Sequence, residues 1–175
     1  LIKSKFKFDS ENVLFSIKKD QLSSEKKSRV QDNNSNIYLI DRFNYSLKND
    51  LLKGENIIGI SNYNLPKSDK IYFSSAIINL DKNEFTAKDT EFNSHNEVFG
   101  NPENNPRLKG ISSKKVGNLT TINKGIFTSC KKNDKCPPWS ISARKIEHDQ
   151  TKKQITYDQA ILKIYDIPVL YFPKF

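Results

Sequence analysis

The side chains suited to metal or redox chemistry are few, and their spacing is unusual. The chain has 175 residues, with Cys130 and Cys136 as its cysteines and His95 and His148 as its histidines. A structural zinc site usually takes four Cys or His ligands, and the C-x5-C spacing is neither a zinc nor a redox C-x-x-C pair. We therefore expect no metal and no cofactor. In an oxidising compartment the cysteines would form disulfides, either with each other or with cysteines outside this segment.

Acid–base catalysis has little support in the sequence. His148 precedes Asp149, and such a pair can move protons. However, Asp149 lies where a strand is predicted to end, and Asp is common in turns. The sequence contains no serine-nucleophile motif, no glycine-rich phosphate loop and no His-x-x-x-His pair. We expect a protein that is not an enzyme.

Short strands must position these residues. Trp139, Ile141 and Ala143 alternate with serines, which is the period-two pattern of a half-buried strand. Similar apolar segments recur between Asp- and Asn-rich turns, and no long amphipathic helix is evident. This spacing predicts an all-β sandwich, barrel or stacked solenoid.

The ends of the chain give more local predictions. Residues 6–8 and 13–17 are predicted to form a hairpin, followed by a polar loop over residues 18–36. Residues 51–54 are predicted to interrupt the chain before a strand at residues 56–61. Prolines at 168 and 173 cannot donate to a sheet ladder, so the last strand should lie at an edge.

The charge is strongly basic, with a net charge of +9 and a pI of about 9.4. Such a chain can meet an anionic partner, which makes a basic β-domain that binds nucleic acid or acidic glycan the alternative function. The lysines are scattered as pairs, which is more typical of solvated faces. Because no nucleic-acid-binding motif accompanies them, we do not expect nucleic acid as a partner.

The size fits one domain over residues 1–175. The chain begins with Leu1 instead of Met, and Tyr171–Phe175 is apolar to the last residue. We expect it to be a segment of a longer protein. No apolar run approaches the roughly 20 residues of a membrane-spanning helix.

Motifs in residues 105–175 resemble the periplasmic OstA-like domain of the LptD family of lipopolysaccharide-assembly proteins. The matching segments are Asn105–Gly110, Lys124–Phe127, Phe127–Cys130, Pro137–Trp139, the hairpin around Asp149, and Pro168–Pro173. The first hundred residues match only in style. The resemblance implies an OstA-like β-jelly-roll, a V-shaped and partly open stack of antiparallel strands.

The resemblance also implies a function in lipid transport. Such a domain lies at the periplasmic face of the outer membrane of Gram-negative bacteria. It accepts lipopolysaccharide, through its lipid A portion, from the LptA bridge protein. It passes the lipid to the LptD barrel, which is plugged by the lipoprotein LptE and would follow Phe175. Cys130 matches a family cysteine that is joined to the barrel by a disulfide, whereas Cys136 is not part of every member's pattern.

The residues alone favour a packed core, but the resemblance implies that the apolar strand faces line a lipid trough. The predicted trough residues are Phe43, Tyr45, Ile58, Ile60, Phe73, Ile78, Phe85, Ile141, Tyr157, Leu162 and Ile164. By the same resemblance, the N-terminal end would add a strand of LptA to its edge. Phe6, Phe8, Val13 and Phe15 are the residues predicted at that edge.

Overall fold

The computed structural model describes residues 2–3, 6–32, 35–63, 65, 67–95, 100, 103–131 and 137–175. These residues form fifteen strands and no helix, so none of the described elements is a helix that could span a membrane. The strands are β1 (Ile2–Lys3), β2 (Phe6–Ser10), β3 (Leu14–Ser16), β4 (Gln21–Ser24), β5 (Ser28–Asp32), β6 (Ile37–Ile40), β7 (Arg42–Ser46), β8 (Leu51–Ile60), β9 (Lys70–Asn79), β10 (Glu84–Asn93), β11 (Arg107–Val116), β12 (Leu119–Thr128), β13 (Trp139–Asp149), β14 (Gln154–Ile164) and β15 (Ile167–Lys174).

All these strands belong to one antiparallel sheet that branches at β8. The C-terminal half of β8 pairs with β6, which continues through β5 and β2 to β1. The N-terminal half of β8 pairs with β7, which continues through β4 to β3. From β8 to β15 each strand pairs with the next along the chain. The described sheet therefore has two N-terminal arms and one C-terminal end, at β15.

A bend in the middle of alternate strands creates the branch. Asn56 in β8 has a φ of 50°, in the left-handed region. Leu52 is buried before this bend and Ile57 after it, so the inward phase shifts by one residue there. The same left-handed conformation occurs at Asp89 in β10, Lys124 in β12 and Gln159 in β14. The register with the neighbouring strands is the same on both sides of these residues, so each one bends its strand without the extra residue of a β-bulge.

The bends divide β8–β14 into two walls. The first wall contains residues 51–55, 75–79, 84–88, 112–116, 119–123, 145–149 and 154–158, and the second contains residues 57–60, 70–73, 90–93, 107–110, 125–128, 139–143 and 160–164. Small residues lie next to the bends. A Cβ on Gly110 would lie 2.3 Å from Ile122 Cγ2, so glycine permits the close approach of β11 and β12.

The face of the sheet that both walls bury is called the inner face. Its larger cluster fills the N-terminal half with bulky side chains from both arms, including Phe6, Phe8 and Tyr45. The smaller cluster lies in the C-terminal half and contains Ile122 and Ile146 together with alanines and Tyr157. The inner face is therefore packed more fully near the branch than near β15.

The predicted N-terminal hairpin is wrong. Strand β2 pairs with β5, whereas β3 pairs with β4 in the other arm. The predicted loop over residues 18–36 is also wrong, because it contains β4 and β5. Its buried serines are hydrogen-bonded across strands, since Ser10 Oγ lies 2.9 Å from both Ser24 Oγ and Ser28 Oγ. Hydroxyl pairing lets a polar sequence enter the core.

Of two further predictions, the first is wrong and the second is confirmed. Residues 51–54 do not interrupt the chain, because they open the ten-residue strand β8. The last strand does lie at an edge, since β14 is the only described strand that pairs with β15. The fold class is confirmed as all-β and antiparallel, in a sheet that is not closed, consistent with an open jelly-roll or V-shaped stack.

The bend at Lys124 gives a stability prediction. Lysine is unfavourable at φ 49°, whereas asparagine adopts the left-handed region more readily and already occupies the equivalent bend at position 56. We expect Lys124→Asn to raise the free energy of unfolding by about 0.5–1 kcal/mol, measured by urea denaturation. Lys114→Asn is the matched control because Lys114 is exposed and lacks a positive φ. An equal gain in both variants would contradict the bend explanation.

Candidate functional site

An apolar ladder crosses the inner face from the N-terminal arm to the C-terminal edge. It takes one residue from each of β2, β5, β6 and β8–β15, and each residue lies directly opposite the next across a strand pair. The members in order are Phe8, Val30, Tyr38, Gly59, Ile71, Phe92, Leu108, Phe127, Ile141, Leu162 and Leu170. Directly paired residues share a face of the sheet. Gly59 has no side chain, but the side chains of Tyr38 and Ile71 lie over it, so the row is continuous.

The exposure of this ladder changes along its length. Phe8 and Val30 are 3% and 0% exposed, because they belong to the larger cluster. The non-glycine members from β6 to β14 are half-buried, and Leu170 in β15 is 53% exposed. A row of apolar side chains therefore leaves a sealed core and emerges at an open end of the sheet.

The trough residues predicted in the N-terminal half lie in the larger cluster. Phe43, Tyr45, Phe73 and Ile78 are all buried, and Phe85 packs against the same cluster. The rings of Phe73 and Phe85 lie 5.0 Å apart. At these positions the packed-core interpretation describes the structure, and a lipid would reach them only if the cluster opened.

The inward phase predicted for Ile58 and Ile60 is wrong. Ile57 is 1% exposed and belongs to the larger cluster, whereas Ile58 and Ile60 alternate with inward-facing Gly59 and are half-buried. The left-handed conformation of Asn56 inverts the inward phase after it, although the register with β9 is the same on both sides of Asn56. Ile58 instead lines an outer groove of about 560 Å³ beside Leu39.

The predicted residues in the C-terminal half are brought together on the inner face. Ile141 packs against the smaller cluster, which contains Tyr157, and Leu162 lies directly opposite Ile141. Ile164 pairs with Trp139 and is 45% exposed, at the rim of the second wall. The prediction omitted several inner-face residues of this half, namely Leu108, Ile122, Phe127, Ile146, Leu170 and Phe172. Period-two alternation does not reveal them, because β12 and β13 change phase at their bends and β15 is apolar on both faces.

The open C-terminal end is lined by aromatic and aliphatic side chains. Every residue of β15 is exposed. Phe172 lies opposite Ala160, and the Phe175 ring stacks on Tyr157 with ring centroids 4.9 Å apart. This edge therefore presents both an apolar inner face and a strand with one described neighbour.

The N-terminal edge differs from the predicted one. Phe6 and Phe8 are buried in β2, between β1 and β5, so they do not form an exposed edge. Phe15 lies in β3, whose one described neighbour is β4, and is 54% exposed. Val13 and Leu14 are exposed beside it. The exposed apolar edge is thus centred on β3.

The cysteine and histidine candidates are separated. Cys130 is half-buried after β12, where its backbone N–H donates to Thr128 Oγ1 at 3.2 Å. Cys136 lies outside the described residues, so its pairing with Cys130 stays a prediction. His95 Nδ1 lies 2.9 Å from Asp69 Oδ1, which links the end of β10 to the loop before β9. His148 lies in the first wall, far along the sequence from this pair.

Charges on the outer face are mixed in sign. Lys109 pairs with Glu91 at 3.0 Å and Lys145 with Glu147 at 3.0 Å. Arg144 pairs with Asp158. These ion pairs place acidic groups among the cations, which makes this part of the outer face unlike the uniformly basic groove of a nucleic-acid-binding protein.

Comparison with known proteins adds no identity. No protein-family model matches the sequence, and a search of curated proteins found no match.

The ladder residue Tyr38 predicts a pH dependence. Burial, with a smaller contribution from Asp32, raises the pKa of Tyr38 to about 12. The folded state thus favours the neutral phenol, so this contribution to stability is complete below a pH of about 10 and is lost as the pH rises towards 12. We expect Tyr38→Phe to remove about 1.4 kcal/mol of the wild-type loss between pH 8 and pH 11, measured by urea denaturation. Identical pH profiles would contradict this assignment.

Proposed function

We propose that this chain transports lipopolysaccharide as a periplasmic OstA-like domain. In this proposal it accepts the lipid from the LptA bridge and passes it to the LptD barrel and its LptE plug, at the periplasmic face of the outer membrane. The single observation that carries the proposal is the apolar ladder, which is continuous across the sheet and emerges at an open end. The motif resemblance of residues 105–175 to the LptD family supports the same interpretation.

The physical properties of the ladder suit acyl chains. Burial of hydrocarbon contributes about 0.8 kcal/mol per CH₂, so a chain can be held by area without a specific polar anchor. In a ladder of aliphatic and aromatic side chains, no position should bind an acyl chain much more tightly than its neighbours. A lipid could therefore move along the ladder. Half-burial of Phe127, Ile141 and Leu162 leaves apolar surface for a lipid to cover.

Two of the three edges of the described sheet, β3 and β15, suit strand addition. An edge strand presents backbone N–H and C=O groups that can pair with another chain. The exposed β3 edge would receive the last strand of LptA, and β15 would continue towards the barrel. The apolar inner face would then extend across both junctions.

The lipid contact is testable by site-specific photo-crosslinking in cells, in the full-length protein. We expect a photoreactive residue at Phe127 or Ile141 to give a lipopolysaccharide adduct, because both lie on the ladder. The matched controls are the neighbouring residues Ile126 and Ser142, which lie directly opposite each other on the outer face. We expect no adduct from them.

Adducts from the outer positions alone would mean that the inner face is a closed core. The alternative function makes a different prediction: contact with nucleic acid or acidic glycan should fall steeply with salt concentration. Lipid contact through the ladder should persist at moderate salt, because it depends on apolar burial.

The β3 edge is testable with proline. We expect Phe15→Pro or Val13→Pro to weaken LptA binding at least several-fold, since proline removes a backbone donor and disrupts strand addition. Phe15→Ser is the control, because it keeps the N–H while removing the ring. Binding is measured by surface plasmon resonance, with thermal unfolding to verify the fold. Unchanged binding in both proline variants would contradict docking at this edge.

A further inference from the structure

A polar row on the inner face runs along the rim of the first wall. Lys115 in β11 lies directly opposite Phe85 of β10 and Thr120 of β12. Thr120 in turn lies opposite His148 of β13. Because paired residues share a face, Lys115, Thr120 and His148 lie on the same side of the sheet as the apolar cluster. We call these three residues the rim row.

Lys115 differs from the cations of the outer face. Its side chain is half-buried, and burial lowers the pKa of its ammonium group. Among the described residues Lys115 has no ion-pair partner, whereas Lys109 and Lys145 each have one on the outer face. Burying a charge without a partner is unfavourable. An anion placed beside Lys115 would offset that cost.

The surroundings of the rim row combine charge with apolar surface. Lys115 and His148 are two strand spacings apart, about 10 Å between backbones, with the Thr120 hydroxyl between them. Ile122 follows Thr120 by two residues and Ile146 precedes His148 by two, so both are the next inward residues towards the bend. A ligand at the rim row would therefore have polar groups at one end and the smaller apolar cluster at the other.

We propose that the rim row binds the anionic headgroup, a phosphate or a carboxylate, of an amphiphile whose hydrocarbon lies on the inner face. Lys115 supplies the charge-assisted contact, and Thr120 donates a hydroxyl hydrogen bond. This inference deepens the proposed function and rests on it, since it requires a lipid on the inner face. The rim row would add polar recognition at one end of a site that otherwise binds lipid through apolar contact alone.

The test compares two short-chain lipids with the same acyl chains. Dioctanoyl phosphatidic acid carries the anion and dioctanoylglycerol does not. Affinities are measured by isothermal titration calorimetry with the whole chain, as wild type, Lys115→Met and Lys114→Met. Lys114 is the matched control because it is exposed on the outer face, next to Lys115 in sequence. Inorganic phosphate, with sulfate for comparison, is titrated separately.

We expect Lys115→Met to weaken phosphatidic acid binding about tenfold, the usual effect of losing one charge-assisted contact. The affinity of Lys115→Met for dioctanoylglycerol should not fall. Lys114→Met should bind both lipids with the affinity of the wild type. Lys115→Met should also unfold at a higher temperature than the wild type, since methionine removes the cost of a half-buried charge. This second readout verifies that any loss of binding does not come from misfolding.

Each other outcome overturns a distinct statement. Binding of both lipids by the wild type, with no effect of Lys115→Met, would remove the headgroup site while leaving the proposed function intact. Equal losses in both variants would assign the effect to overall charge. Tight, saturable binding of inorganic phosphate alone at Lys115 would make this an ion site and not a lipid headgroup site. Failure of both lipids to bind the wild type would contradict the proposed function itself.

Discussion

The structure depends on one constraint: a single sheet with one apolar face must cover that face with itself. Left-handed residues in the middle of alternate strands meet this constraint, at Asn56, Asp89, Lys124 and Gln159. Each bend turns a strand back over the inner face, and small residues beside the bends allow the close approach. Because a left-handed bend occurs in every second strand from β8 to β14, the two walls continue along the sheet. No second sheet is needed to cover the inner face.

The same constraint produces a gradient from one end to the other. Near the branch, two arms supply Phe6, Phe8, Leu22, Val30, Phe43 and Tyr45, and their combined volume seals the inner face. Among the described residues no further arm contributes beyond β11, and the inward positions next to the bends in the second wall are Gly125, Ala143 and Ala160. The apolar face is then only partly covered, and at β15 it is exposed. A sealed end gives the domain its stability, whereas the partly covered end provides the surface on which the proposed lipid contact depends.

Much of the C-terminal half follows from its sequence. The alternation of Trp139, Ile141 and Ala143 with serines predicts the inner face of β13, and the prolines of β15 predict an edge strand. The N-terminal half was harder to predict because its pairing is non-local. Polar residues 18–36 enter the sheet through serine hydroxyl contacts and by pairing with distant strands, which no local pattern encodes. The face on which Ile58 lies could not be predicted, because the left-handed residue Asn56 reverses the alternation of inward and outward side chains. The amino-acid composition of the strand gives no sign of this change. The inward position of Lys115 follows from its pairing with Phe85, which its lysine-rich local sequence does not encode.

In the C-terminal half, the partly open inner face is the surface that we propose lipid covers. The most direct measurement is electron paramagnetic resonance of a nitroxide label at Leu162, on the ladder, or at Ile161, its outward-facing neighbour. The collision rate with a water-soluble paramagnetic reagent is recorded before and after lipid A is added. We expect lipid A to lower this rate at Leu162 and to leave it unchanged at Ile161. An unchanged rate at Leu162, or an equal fall at both positions, would contradict this proposal.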